Sequence, residues 1–142
     1  MTRVMATGTF DILHPGHLLY LEESRALGDE LVVVVAKDVN VKHKPKPIIP
    51  EEQRLMMVSA LKIVDLAVLG HERDFMIPVE LLKPDIITLG YDQHFNPEVL
   101  RAQLAERGLR PDIIRIEVHD PCALCKSNRI IKEILDRGLN QR

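Results

Sequence analysis

The chain contains no tryptophan, and its 142 residues include only two tyrosines, three phenylalanines and two cysteines. Two cysteines cannot staple a small secreted scaffold, so a disulfide-framed architecture is excluded. Its longest apolar run, Leu31-Val-Val-Val-Val-Ala36, is far shorter than the roughly 20 residues a membrane-spanning helix needs, and no membrane partner is expected. A basic surplus is also missing. Nineteen Lys and Arg face 21 Asp and Glu, a formal charge of −2, which argues against a nucleic-acid-coating role. Met1-Thr2-Arg3 leads straight into an apolar strand without a leader-like pattern, so the expected location is cytoplasmic. Neither G-x-x-x-x-G-K-[ST] nor G-x-G-x-x-G occurs, which removes the two commonest phosphate-binding loops.

What is present is an ordinary globular composition, 46% hydrophobic and 28% charged. It suits one core, and residues 1–142 are expected to form a single domain. Short apolar runs at 4–7, 30–36, 66–69, 85–89 and 112–118 alternate with helix-like segments at 18–27, 51–61, 75–83, 97–107 and 127–137. The run at 31–36 does not alternate with polar residues, as expected of a parallel strand covered on both faces. Gly28, Gly108 and Gly138 stand where helices should stop. Strand–helix alternation of this kind predicts an α/β, Rossmann-like, doubly wound domain. Its five parallel strands should carry helices on both faces, and in the order 3-2-1-4-5 the ligand crevice falls between strands one and four.

One connection is too long for a routine turn. Residues 37–50 hold Lys37, Lys42, Lys44 and Lys46 with His43 and three prolines, and they leave the C-terminal end of a strand. A solvated basic loop would have this composition. So would a mobile lid carrying positive charge toward an anion, and the position at the ligand-bearing edge favours the lid.

The first strand ends in Gly8-Thr9-Phe10-Asp11-Ile12-Leu13-His14-Pro15-Gly16-His17, with a helix expected from about His17. Gly16 permits close backbone approach, and a helix start offers unpaired N–H groups and the positive end of its dipole. Two imidazoles there can donate to phosphate oxygens, more strongly as charge gathers in a transition state. A metal pair, ordinary surface histidines or a purely structural turn compete with that reading. Near the other end, Cys122-Ala-Leu-Cys125 precedes the last helix. It reads as a redox pair, as half of a zinc site with His119 as a third ligand, or as inert buried thiols.

Gly8-Thr9-Phe10-Asp11 followed by His14-Pro15-Gly16-His17 resembles the H-x-G-H signature of the cytidylyltransferase-like nucleotidyltransferases. Segments 29–38, 50–54, 83–93 and 122–134 are most similar to the archaeal FAD synthetase family within it, and the C-x-x-C before the last helix points to that branch. The resemblance implies transfer of AMP from ATP to FMN with release of pyrophosphate, assisted by a divalent cation. The alternatives are a glycerol-3-phosphate cytidylyltransferase-like enzyme using CTP, and a redox- or metal-responsive nucleotide-binding module without turnover. A homodimer is the family-level expectation.

Carried over by position, the resemblance implies that Thr9 and Phe10 touch the nucleotide. His14, Pro15, Gly16 and His17 would cradle its triphosphate, with His14 and His17 catalytic. Asp92 would contact the adenosine, while His119, Ser127 and Arg129 would bring a second phosphate-binding element from the last helix. Lys37, Asp38, Lys42, Lys44, Lys46 and Arg54 are further candidates for substrate or phosphate contact. Asp11 is the candidate carboxylate for the cation, or else an acceptor that fixes the turn. Cys122 and Cys125 are expected to act structurally or as a redox-sensitive pair beside the site, outside the chemistry. No nucleophile–base pair is evident, and none is needed. FMN's phosphate, with a second pKa of about 6, is already largely dianionic at neutral pH.

Overall fold

The computed structural model describes residues 1–42, 46–90, 93, 95–117 and 122–140. Five strands, β1 (Arg3–Gly8), β2 (Glu30–Val35), β3 (Leu66–Leu69), β4 (Ile86–Gly90) and β5 (Asp112–Ile116), form one sheet in the order β3-β2-β1-β4-β5. Every pairing is parallel. The helices are α1 (Pro15–Arg25), α2 (Glu51–Ser59), α3 (Met76–Leu82), α4 (Pro97–Glu106) and α5 (Ser127–Asn140). A short 3-10 turn, Asp38–Asn40, follows β2.

The alternation of side chains along each strand divides the core in two. Val4 and Ala6 of β1 and Leu31, Val33 and Val35 of β2 pack with Leu21 of α1 and Val58 of α2. Met5, Val32 and Val34 point the other way, against Val79 of α3 and Leu100 and Leu104 of α4. Both faces of β1 and β2 are therefore dry, and their near-continuous apolar sequence follows from that. Each such buried side chain contributes roughly 1.5–3 kcal/mol.

The N-terminal edge of the sheet is closed by a repeated device. The carboxylates of Asp29, Asp65 and Asp85, just before β2, β3 and β4, accept the backbone N–H groups of Thr2, Leu31 and Arg3, each at 2.8 Å. These acids satisfy strand starts that would otherwise lack partners.

Two helix ends differ from the sequence expectation. α1 starts at Pro15 rather than near His17, because proline is preorganised for a first helical position and needs no N–H partner there. Gly108, with φ of 77°, does end α4, but Gly138 lies inside α5. An added Cβ at Gly138 would meet nothing within 4 Å. The glycine sits in open space and costs the helix only about 1 kcal/mol.

Candidate active site

The turn between β1 and α1 is built around the two histidines. His14 is the extended residue that caps α1, with φ −148° and ψ 170°. Its backbone N–H donates to Nδ1 of His17 at 3.3 Å, and its carbonyl accepts from the His17 N–H at 3.0 Å. The rings stack with centroids 3.8 Å apart. The imidazoles thus stand together over the first turn of α1, which carries no acidic residue. Phe10 adopts a left-handed backbone with φ of 55°, a conformation that costs a non-glycine residue roughly 1–2 kcal/mol. Its ring, 3% exposed, belongs to the core and lies 5.4 Å from that of His17. Core packing of the ring holds the strained turn in place.

The start of α5 meets this turn. Ser127 Oγ accepts from the Ile12 N–H at 3.4 Å and lies 3.3 Å from the Ile12 carbonyl, to which it donates. Cys122 and Cys125 are joined as a disulfide, so neither offers a thiolate in this structure. α5 too has no acid in its first turn, with Lys126 before it and Arg129 within it. α2 and α4, by contrast, begin with Glu51 and Glu52 and with Glu98. Acids near a helix start compete with a bound anion for the dipole. α3 also starts without an acid, but the acid-free starts of α1 and α5 are the ones joined through Ser127 and Ile12.

The long 37–50 connection is anchored at both ends. Asp11 accepts the N–H groups of Ile49 and Ile48 at 2.9 and 3.0 Å. Arg54, 1% exposed, donates to the carbonyls of Thr9 at 2.6 Å and Ile49 at 2.8 Å and to the Asp38 carboxylate at 2.6 Å. One buried guanidinium therefore binds the β1 loop, the β2 loop and the start of α2. Lys37 pairs with Glu72 at 3.5 Å, and the Lys46 ammonium donates to the Asp38 carbonyl at 3.0 Å. Lys42 is exposed, while Lys44 lies outside the described residues.

Across the switch point, Gln93 donates from its side chain to the Thr7 carbonyl at 2.9 Å and accepts from the Gly90 N–H at 2.8 Å. Tyr20 of α1 completes the join between β1 and β4. Its hydroxyl accepts from the Thr7 N–H at 3.3 Å and donates to the Thr88 carbonyl at 2.9 Å. Ser24 Oγ and Thr88 Oγ1 lie 2.8 Å apart beside it. Burial pushes the Tyr20 hydroxyl up to about 12, against the smaller opposing effect of its hydrogen bonds. Asp92 and His119, expected on the nucleotide, lie outside the described residues. Sequence reasoning missed Gln93, Tyr20 and Arg115. The available signal for Arg115 was a lone cation inside an apolar strand run.

A five-stranded parallel sheet with order β3-β2-β1-β4-β5, its loops gathered beside the β1/β4 switch point, defines a doubly wound α/β domain of the nucleotide-binding kind. The chain belongs to the cytidylyltransferase-like family, whose model matches residues 5–133. It is 66% identical over 135 residues to the FAD synthase of Methanothrix thermoacetophila, covering 95% of this chain and 94% of that one. With the FAD synthase of Methanosarcina barkeri it shares 59% identity over 137 residues, or 96% of this chain and 99% of the relative. A crystal structure of the lipopolysaccharide core biosynthesis protein from Thermoplasma volcanium superposes with a TM-score of 0.81 at 54% identity. That match covers 84% of this chain and 99% of the other.

Proposed function

We infer that the chain is a nucleotidyltransferase that makes FAD from ATP and FMN, as its high-identity, near full-length FAD synthase relatives indicate. A phosphate oxygen of FMN attacks the α-phosphorus of ATP, a P–O bond forms, and the bond to the β-phosphate oxygen breaks to release pyrophosphate. The observation that carries the mechanism is the meeting of the acid-free starts of α1 and α5, joined through Ser127 and Ile12. Backbone N–H groups and helix dipoles there suit a polyanion. His14 and His17 stabilise charge on the triphosphate as it develops, with Pro15 and Gly16 shaping the turn, and Arg129 adds positive charge from α5. Thr9 and Phe10 meet the nucleotide through their backbone, and the family resemblance assigns Asp92 to the adenosine and His119 to the second phosphate-binding element.

Catalysis of this kind is positioning and charge neutralisation, with no general base. Lys42, Lys44 and Lys46 act as a charged lid; Arg54, Asp38 and Lys37 fix its roots. Among the described residues no cluster of three ligating side chains is present. A divalent cation would therefore be held chiefly by phosphate oxygens, as magnesium commonly is, with Asp11, whose Oδ2 and Oδ1 accept from Ile48 and Ile49, offering at most a remaining lone pair. Cys122 and Cys125 shape the entry to α5 and take no part in the displacement. No helix among the described residues is long and apolar enough to cross a membrane. The test is pyrophosphate release with ATP or CTP crossed against FMN or glycerol 3-phosphate. ATP with FMN should be the productive pair. Turnover of CTP with the small phosphate alone would replace this reading with the cytidylyltransferase one.

A further inference from the structure

Phe75 and Phe95 face each other with ring centroids 5.0 Å apart and planes inclined at 37°. Among the described residues they are the only Phe or Tyr side chains outside the buried core, Phe95 being 37% exposed and Phe75 half-buried. Both belong to connections that leave the C-terminal ends of strands, Phe75 after β3 and Phe95 after β4. Each is braced. Phe75 packs on the core layer of Val79, Leu100 and Leu104, and its neighbour Asp74 accepts the Met76 N–H at 2.9 Å and pairs with Arg107 at 2.8 Å. The Phe95 carbonyl accepts from Nη2 of Arg115 at 2.5 Å, while Nη1 of the same guanidinium donates to the carbonyls of Gly90 at 2.7 Å and Gln93 at 3.1 Å. Asn96, the next residue, caps α4 by accepting the Glu98 N–H at 2.9 Å. An aromatic pair fixed in this way is a preorganised surface for a flat ring.

The chemistry puts the acceptor on this side of the sheet. In an in-line displacement the attacking and leaving oxygens stand on opposite sides of the phosphorus. The start of α1, which with that of α5 takes the pyrophosphate portion, lies on the face covered by α1 and α2. The attacking phosphate then comes from the opposite face, covered by α3 and α4, where the two phenylalanines stand. The adenosyl oxygen is equatorial in that geometry, so adenine leaves the axis sideways and the acceptor alone lies along it. We propose that Phe95, braced by Phe75, is the platform on which the isoalloxazine ring of FMN stacks, and so determines specificity for a flavin acceptor. This rests on the reading of the chain as an FAD synthase.

The experiment is steady-state kinetics of Phe95→Ala, Phe95→Leu and Phe95→Tyr, with riboflavin as a competitor of FMN and melting temperatures alongside. Losing the stack should raise the KM for FMN and the inhibition constant of riboflavin together, by about 5–100-fold in Phe95→Ala. The KM for ATP should stay within about twofold and kcat within about threefold, as expected when only acceptor binding is lost. Phe95→Tyr keeps the π-face and should bind FMN within about threefold of the unaltered protein. If Phe95→Ala does not fold, Phe95→Leu, which keeps bulk without a π-face, should still raise the FMN KM by about threefold to tenfold. An unchanged FMN KM in the folded variant overturns the proposal, as does riboflavin that does not compete with FMN. A raised ATP KM with unaltered FMN binding would place adenine on the pair and overturn it too. So would parallel losses for both substrates that track a lowered melting temperature. In each of these cases an unaltered protein that still makes FAD leaves the FAD synthase reading standing. Failure of the unaltered protein to make FAD would overturn that reading and the proposal with it.

Discussion

Gly16 packs against the carbonyl of Cys125: a Cβ at that glycine would stand 2.7 Å from the Cys125 oxygen and 2.8 Å from Cε1 of His14. The first turn of α1 and the residues leading into α5 are therefore in contact where no side chain fits. Because a backbone carbonyl cannot swing aside, Gly16→Ala must move one helix start relative to the other. A displacement of about 1 Å at reacting groups can cost around 10²-fold in rate, and kcat should fall on that order. The far-ultraviolet spectrum should be retained. A variant with native turnover would show that the α1–α5 juxtaposition does not set the chemistry.

His14 and His17 stack on each other above that turn, and the proposed mechanism has both act on the same triphosphate. Replacing either with Ala should lower kcat by roughly 10²–10³, the range for losing one transition-state donor. Pro15 and the Phe10 ring still hold the turn, and the melting temperature should change little. Near-native kcat in both single variants would remove the histidines from the mechanism.

Arg54 should behave as an internal strut. Its guanidinium is enclosed and divides its donors among Thr9, Ile49 and Asp38. Arg54→Met leaves two carbonyls without their donor and the half-exposed Asp38 carboxylate without its cation, which should cost about 1–3 kcal/mol. That corresponds to a melting temperature lower by on the order of 10 °C, read by calorimetry. An unchanged melting temperature combined with weakened ATP binding would show a direct phosphate contact instead.

Tyr20 gives the fold a defined alkaline limit. Its pKa in the folded chain is about 12, above the ordinary value of 10.0. The folded state holds this proton more tightly than the unfolded one. The associated stability is fully present below about pH 10 and is lost as pH rises toward 12, an effect of about 2–3 kcal/mol. Tyr20→Phe should abolish that component of the pH profile. At neutral pH it should also cost about 1–3 kcal/mol, because the Thr7 N–H loses its buried acceptor. Denaturant midpoints for the two proteins at neutral pH and near pH 11 check both, and identical pH profiles would refute the assignment.

The strand order, the two-sided burial of β2 and hence the β1/β4 switch point were legible in the sequence. Unbroken apolar runs and strand–helix alternation report directly on a covered parallel sheet. The His14–His17 turn was legible too, since Pro15 and Gly16 mark a helix start with close backbone approach. What the sequence did not reveal was the wiring behind the site. Arg54 and Arg115 bind mainly to backbone carbonyls, and a carbonyl leaves no trace in residue identity. Tyr20 joins Thr7 and Thr88 across 13 and 68 residues of chain, a proximity that only the register of β1 against β4 creates. Arg54 illustrates the difference most plainly. Its charge marked it as a candidate for substrate or phosphate contact, while its burial makes it the tie between three loops.

The most direct test of the account is to follow ATP labelled in its α-phosphate, supplied with FMN and a divalent cation. The label should appear in FAD, with one unlabelled pyrophosphate released for each FAD formed, and this transfer should fall by roughly 10²–10³ in His14→Ala. Label remaining in ATP or passing to free AMP while FMN is unconsumed would contradict the account.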